Sequence, residues 1–247
     1  VASFLLGIDH VTPIISLVTD DANLYGPDGI FDHWDQDWQK DAYIDYFSED
    51  NQLIFSQNTG LQIDGGAGGS RSQPQHSMRV ELANGTLGEG AVNYPLIPNR
   101  SERTKYSDFY LRNGSNTYLD YPYKDAFQNE AMCAETNTYY SAWRPVTVYI
   151  NGGYFGLYEL REKFNPEYFD VLDNADSDST DILSLSYWYG SVLRSVKGAP
   201  VDTFYTNYDA FDALNPASPT YWDDADRYFD LTYYSDYIIS ESWMANV

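Results

Sequence analysis

The sequence has a single cysteine, Cys133, and three histidines, His10, His33 and His76. One thiol excludes an internal disulfide and a cysteine-rich metal site, and the histidines lack the spacing of a zinc-ligand set. Basic residues are scarce: 14 lysines and arginines stand against 37 aspartates and glutamates, for a net charge of −23. A surface of that sign repels duplex nucleic acid and anionic membranes, so neither is expected as a partner. It suits high solubility, cations or basic protein substrates. Apolar runs are short. None approaches the roughly 18 residues of a membrane span, and no membrane insertion is expected. There is no G-x-S-x-G nucleophile elbow, no internal repeat and no low-complexity tract. Cys133 falls inside the helical run AFQNEAMCAE and reads as a small core residue.

What remains is a globular composition. With 247 residues, 43% of them hydrophobic, the chain can bury roughly 70–75% of its unfolded surface without staples. Twenty-four tyrosines and six tryptophans, with abundant Asp and Asn, resemble the composition of bacterial extracellular proteins. The expected location is therefore extracellular or on a cell or spore surface.

The most informative stretch is Leu61 to Leu82, LQIDGGAGGSRSQPQHSMRVEL. Leu61 and Ile63 alternate with polar neighbours, and so do Met78, Val80 and Leu82, which is the period of a half-buried strand. Between the two strands lie Gly65, Gly66, Gly68, Gly69, Ser70 and Arg71. Glycines let backbone N–H groups approach a ligand, and serine and arginine on such a loop can hold phosphate. A second reading is a long hairpin connection whose glycines only permit positive φ.

Elsewhere PIISLV (Pro13 to Val18), AYIDYF (Ala42 to Phe47), QLIF (Gln52 to Phe55) and DFYLR (Asp108 to Arg112) read as strands. Tyr123 to Glu135 reads as a helix. VTVYINGGYFGLYELR (Val146 to Arg161) is a hairpin turned by Asn151-Gly152-Gly153. Asn165-Pro166-Glu167 fits an N-cap, an N1 proline and an acidic first turn, and a final helix runs from Asp230 to Ala245. Strands followed by helices point to an α+β fold with an antiparallel sheet. The polar segment DNADSDSTD (Asp173 to Asp181) marks a boundary. Residues 1–172 form a β-rich lobe with one helix, and 173–247 form a linker and the beginning of a helical lobe.

Five segments in order resemble the CotH family of spore-coat-type atypical protein kinases: GGAGGSRSQPQHS (Gly65 to Ser77), Leu111-Arg112-Asn113, Lys124-Asp125, VYINGGYFGLYELRE (Val148 to Glu162) and the opening PIISLVTDDANLYGPDGIF. The resemblance runs through most of Pro13 to Phe169 and returns at the final helix. It implies a kinase-like two-lobe architecture, incomplete here, with an antiparallel-sheet N-terminal lobe and the start of a helical C-terminal lobe. It also implies ATP with Mg or Mn as cofactor, a protein substrate, and a nucleotide site on Gly65, Gly66, Gly68, Gly69, Ser70, Arg71, His76 and Glu162. His76 stands where the family carries a lysine and, with an ordinary pKa of about 6.5, is a poorer phosphate cation. Glu162 would orient that cation, or else is a surface carboxylate beside Lys163. The family's catalytic aspartates lie beyond the segment that ends at Val247, so no catalytic residue is assigned here, and activity of this chain is expected to be impaired.

Other residues keep a second reading open. Asp176, Asp178 and Asp181 resemble the start of an EF-hand calcium loop, yet Asp181 replaces its glycine and Tyr187 its glutamate. Tyr187, Trp188 and Tyr189, with Trp222, could stack on sugars or belong to a core. The alternative function to a phosphotransferase is a non-catalytic extracellular binding or scaffolding module of a surface assembly, with a protein partner.

Overall fold

The computed structural model describes residues 10–66, 68–83, 85–133, 135–136, 138–174, 180–186 and 192–243. The described chain runs β1 (Ile14–Val18), α1 (Asp21–Leu24), β2 (Gln39–Phe47), β3 (Leu53–Ile63), β4 (Met78–Glu81), β5 (Val92–Asn93), β6 (Lys105–Tyr106), β7 (Asp108–Arg112), α2 (Lys124–Cys133), β8 (Trp143–Ile150), β9 (Gly153–Arg161), α3 (Pro166–Asp173), β10 (Ile182–Ser186), β11 (Val192–Lys197), α4 (Val201–Asp212), α5 (Tyr221–Ala225) and α6 (Leu231–Trp243). Contacts divide it into two compact units, residues 1–127 with 141–168, and residues 128–140 with 169–247.

The first unit is built on a closed barrel of seven strands in the order β1-β2-β3-β4-β7-β9-β8. Six of its seven ladders are antiparallel. The seventh is parallel, with Ile14 to Leu17 of β1 beside Thr147 to Ile150 of β8, and it closes the ring. This corrects the expected architecture. The chain is a mixed α/β protein with a closed barrel, and the kinase-like two-lobe fold with an antiparallel-sheet lobe is not what forms. The physical reason is non-local. β1 reads as an ordinary buried strand, and nothing in its own residues shows that its free edge meets a strand some 130 positions later.

Alternation along each strand fills the barrel. Ile15, Leu17, Ile44, Tyr46, Leu61, Ile63, Met78, Val80, Phe109, Leu111, Val146, Val148, Tyr158 and Leu160 are all fully buried. They stand opposite one another in register, as in the pairs Ile15–Tyr46, Leu61–Val80, Val80–Phe109 and Leu111–Leu160. A barrel of this size is closed by its side chains and leaves no channel. The β8–β9 hairpin turns on Asn151 and Gly152, both at positive φ (49° and 80°), as a tight two-residue turn requires. The expected strands QLIF and LQI prove to be the two ends of one long strand, β3.

The second unit holds the β10–β11 hairpin and helices α4 to α6. An aromatic run links Tyr208, Phe211 and Phe229, and the Tyr139 ring packs on Phe169 and Tyr233. Asp230 caps α6 by accepting from the Tyr233 N–H at 2.8 Å, and Asn165 caps α3 by accepting from Tyr168 N–H at 3.0 Å, as their sequences predict. The hairpin and α4 had no sequence signal strong enough to be expected. The aromatic trio Tyr187, Trp188 and Tyr189 lies outside the described residues. Among those described, no helix is long and apolar enough to cross a membrane.

The barrel interior carries the stability of the first unit. Leu160→Ala should cost about 2–5 kcal/mol, whereas Leu157→Ala, on the same strand but 39% exposed, should cost less than about 1 kcal/mol. Denaturant midpoints of the two variants check this, and equal losses would contradict the inside–outside assignment.

Candidate functional site

The glycine-rich segment is the β3–β4 connection and lies over one end of the barrel. Its anchor is Asn113, which follows β7 and is 3% exposed. The Asn113 amide donates to the carbonyls of Gly69 and Ser70 at 3.3 Å and of Gln75 at 2.6 Å. Its Oδ1 accepts from the Ser77 hydroxyl and the Ser115 N–H, each at 2.8 Å. Ser70 donates its hydroxyl to Ser115 Oγ at 2.9 Å. Gly65 sits at φ +100°, and a Cβ there would strike Ser70. A Cβ on Gly69 would come within 2.6 Å of the Ser115 backbone. Both glycines therefore serve close packing of the loop. Gly66 faces open space, and Gly68 lies beside Asn116.

The two basic residues of this segment are already engaged, in part by the segment itself and in part by residues 34–37. Arg71 donates from Nε to the Gly65 carbonyl at 2.6 Å and from Nη1 to the Trp34 and Gln36 carbonyls at 3.2 Å. Its Nη2 pairs with Asp37 at 2.5 Å. His76 is buried, its Nδ1–H donates to the Arg71 carbonyl, and its ring lies 4.9 Å from that of Phe31. Burial lowers the His76 pKa, against an opposing pull from that carbonyl. The ring is thus held neutral and works as a staple between the loop and the Phe31–Phe155 stack.

Glu162 lies elsewhere. On β7, Tyr110 pairs with Arg161 and Arg112 with Glu159. Glu162 therefore sits toward the Asp108 end of β7, while the glycine loop is anchored past Arg112. Four strand residues separate the two levels, about 13 Å. The Glu162 carboxylate, 1% exposed, accepts from Arg103 Nη1 at 3.3 Å and from the Ala142 N–H at 3.0 Å, with Arg100 Nε at 3.4 Å. Burial pushes its pKa up, and Arg100 and Arg103 oppose that push. Arg103 in turn lies over the Tyr106 ring at 4.6 Å. Lys163, its sequence neighbour, pairs with Asp108 at 2.5 Å. The expected convergence of Ser70 and Glu162 on one cleft is not what the register places there.

What does face open space at the loop end is Arg112. It lines a cleft of about 350 Å³ with Gln75, Tyr118, Tyr123, Tyr154 and Phe155. It also lines a smaller hollow of about 200 Å³ with Asp64, Gly65, Ser70, Ser77 and Tyr110. Its side chain remains one-third exposed, and its Nη2 stands 3.6 Å from Asp125 at the start of α2. Burial lowers its pKa, and the nearby Arg161 adds to that. Beneath it lies Glu159, its cross-strand partner, 1% exposed. Neither oxygen of Glu159 accepts a hydrogen bond from a described residue. Arg161 Nη1, at 3.7 Å, is turned to Asp125 instead. Burial raises the Glu159 pKa from 4.5 to about 7, although Arg161 and Arg112 pull it down.

Arg112 enters the sequence reading in a strand and a family motif, Asn113 in that motif, and Glu159 inside the hairpin and its motif, none of them with a role of its own. The available signal was the pair of charged residues, Arg112 and Glu159, alternating with inward apolar ones on strands whose outer face a helix covers. Asp181 accepts from the Ala199 N–H at 2.6 Å, which ties the ends of the β10–β11 hairpin. Asp176 and Asp178 lie outside the described residues, and among those described no group of three or more His, Cys, Asp or Glu could hold a metal ion.

Two expectations follow. Glu162→Ala leaves the buried Arg103 guanidinium without its carboxylate and Arg100 with only the exposed Glu102 at 3.8 Å among the ion pairs described, and should cost about 3–5 kcal/mol; a loss under about 1 kcal/mol in urea would deny its role as a tie. For Glu159 the folded pKa lies above the unfolded one. Its favourable contribution is complete below about pH 4.5 and is lost as pH rises through about 7. Glu159→Gln should therefore be more stable than the parent chain at pH 8, by up to about 3 kcal/mol, and the gap should close below about pH 4.5. A gap independent of pH in denaturant titrations would contradict the assignment.

No family model and no curated protein matches the sequence.

Proposed function

We propose that the chain is a CotH-type protein of a bacterial cell or spore surface whose barrel acts as a binding module, its ligand carrying an oxyanion held by Arg112. The observation that carries this reading is the contrast among the arginines at the loop end. Arg71 is turned into its own loop and Asp37, whereas Arg112 lines both hollows at that end. A planar guanidinium with free donors suits carboxylate and phosphate oxygens. The walls of the larger cleft are Tyr118, Tyr123, Tyr154 and Phe155, which suits a flat ring or sugar face beside the anion.

The phosphotransferase chemistry that the CotH resemblance implies needs more than this. Phosphoryl transfer requires a cation on the phosphates, a carboxylate that orients it, and carboxylates that hold metal. His76 is neutral and covered, and Glu162 is engaged with Arg100 and Arg103. These placements favour recognition over transfer for this part of the chain. The strongly acidic surface and the tyrosines suit a partner protein with a basic face.

Isothermal titration with inorganic phosphate and with magnesium–ATP tests the reading. Saturable binding is expected, weakened about tenfold or more in Arg112→Gln, the loss of one charge-assisted contact, and retained in Arg71→Ala once its fold is verified by circular dichroism. The reverse ranking would move the ligand to the loop cation, and no saturable binding of either probe would overturn the proposal. Transfer of labelled phosphate to an acceptor protein would overturn the preference for recognition.

A further inference from the structure

The charges behind the cleft do not balance in a fixed way. Arg112 and Arg161 supply two positive charges, and Asp125 stands within 3.6 Å of the first and hydrogen-bonds the second. Glu159 supplies the remaining negative charge only when ionised. It faces Arg112 from β7, Arg161 from its own strand, Tyr123 from just before α2 and Asp125 from the first turn of α2. Its register partner on β8 is Pro145, which carries no charge. Tyr123 is pushed up to about 12 and stays neutral over the physiological range. Among the described residues no hydrogen bond holds Glu159 in either form, and the Nε atoms of Arg112 and Arg161 likewise find no hydrogen-bond partner there.

A protonated Glu159 leaves one positive charge in excess directly beneath the residue that lines the cleft. An ionised Glu159 cancels it. Accordingly, and resting on the reading of the Arg112 cleft as an oxyanion site, we propose that anion binding there is coupled to proton uptake by Glu159, so that the ligand replaces the negative charge which this carboxylate surrenders. The rest of the protein favours such a local device. The net charge of −23 repels an anion at long range. Salt screens that repulsion beyond about 8 Å at physiological ionic strength, whereas a buried neighbour is screened far less. The nearby buried carboxylate thus sets how strongly Arg112 attracts an anion. Burial places the midpoint of Glu159 near neutrality, where a small change in acidity changes the charge.

The probe is sulfate, whose own charge is constant between pH 6 and 8.5. Titration of the whole chain should show affinity at pH 6 about tenfold or more above that at pH 8.5, the dependence approaching one proton per anion on the alkaline side. Glu159→Gln should bind at both pH values within about twofold of the parent at pH 6, since it mimics the protonated acid. If that variant fails to fold, calorimetry of the parent at pH 7 in two buffers of different ionisation enthalpy still decides, because uptake of a fraction of a proton per bound sulfate is expected. Saturable binding with no proton uptake and no pH dependence would overturn the coupling and leave the Arg112 site standing. So would a pH dependence that survives unchanged in a folded Glu159→Gln variant. Absence of sulfate binding by the parent and by folded Glu159→Gln at every pH would overturn the site itself.

Discussion

The parallel ladder between β1 and β8 is the constraint from which the rest of the first unit follows. Without it the six antiparallel pairings make a curved sheet with two open edges, each a row of unpaired N–H and C=O groups. With it every strand has two neighbours and the inward face becomes a sealed apolar interior. Sealing decides where charge can go. Charge enters the inward rows only at strand ends, where Lys40 stands opposite Leu61 and Arg144 opposite Leu160, so the arginines, glutamates and aspartates of β4, β7 and β9 alternate onto the outer face. Where segments such as the start of α2 cover that face, charges become buried and must be paired. The Glu162 cluster and the Arg112–Glu159 pair are both products of that covering, at different levels of the same two strands.

They satisfy the burial requirement in different ways. Glu162 collects two guanidiniums and a backbone N–H, and that connectivity ties the segment before β6 to the strand end. A buried ion pair of this kind adds little net stability over apolar packing, but breaking it is costly. Glu159 is the contrary case, with no hydrogen bond from a described residue in a nearly closed environment. The same residue type, three positions along, is in one place an anchor and in the other an unsatisfied acid.

Much of the barrel was legible in the sequence because inward residues alternate with period two. Met78 and Val80, Phe109 and Leu111, and Tyr158 and Leu160 all appear as such pairs, and the Asn151-Gly152 turn requires two residues that tolerate positive φ. Ring closure was not legible, because the register of β1 against β8 depends on residues far apart. The loop was legible as a loop but not in its role. Glycine is selected equally by a ligand that must come close and by a neighbouring backbone that must come close. At Gly69 the neighbour is Ser115, which no local pattern announces. Arg71 and His76 looked available for the same reason: sequence shows which side chains can hold a phosphate, not which carbonyls already hold them.

A loop rich in glycine, serine and arginine therefore turns out to be bound down by Asn113 and by its own arginine, while Arg112 and Glu159, on two strands that read as plain structure, carry atoms with no hydrogen-bond partner among the described residues. That inversion has a physical logic. A rigid loop supplies a fixed rim, and the strands behind it hold Arg112 in one place, which lowers the ordering cost of any ligand that meets it. A buried carboxylate with a long ion pair to Arg161 and no hydrogen bond from a described residue opposes folding at neutral pH, and apolar packing in its position would be more stable. Local rules broken without structural gain tend to mark the places where a protein meets something else. In this barrel the broken rule is Glu159, and the residue directly across from it is the one arginine that lines both clefts.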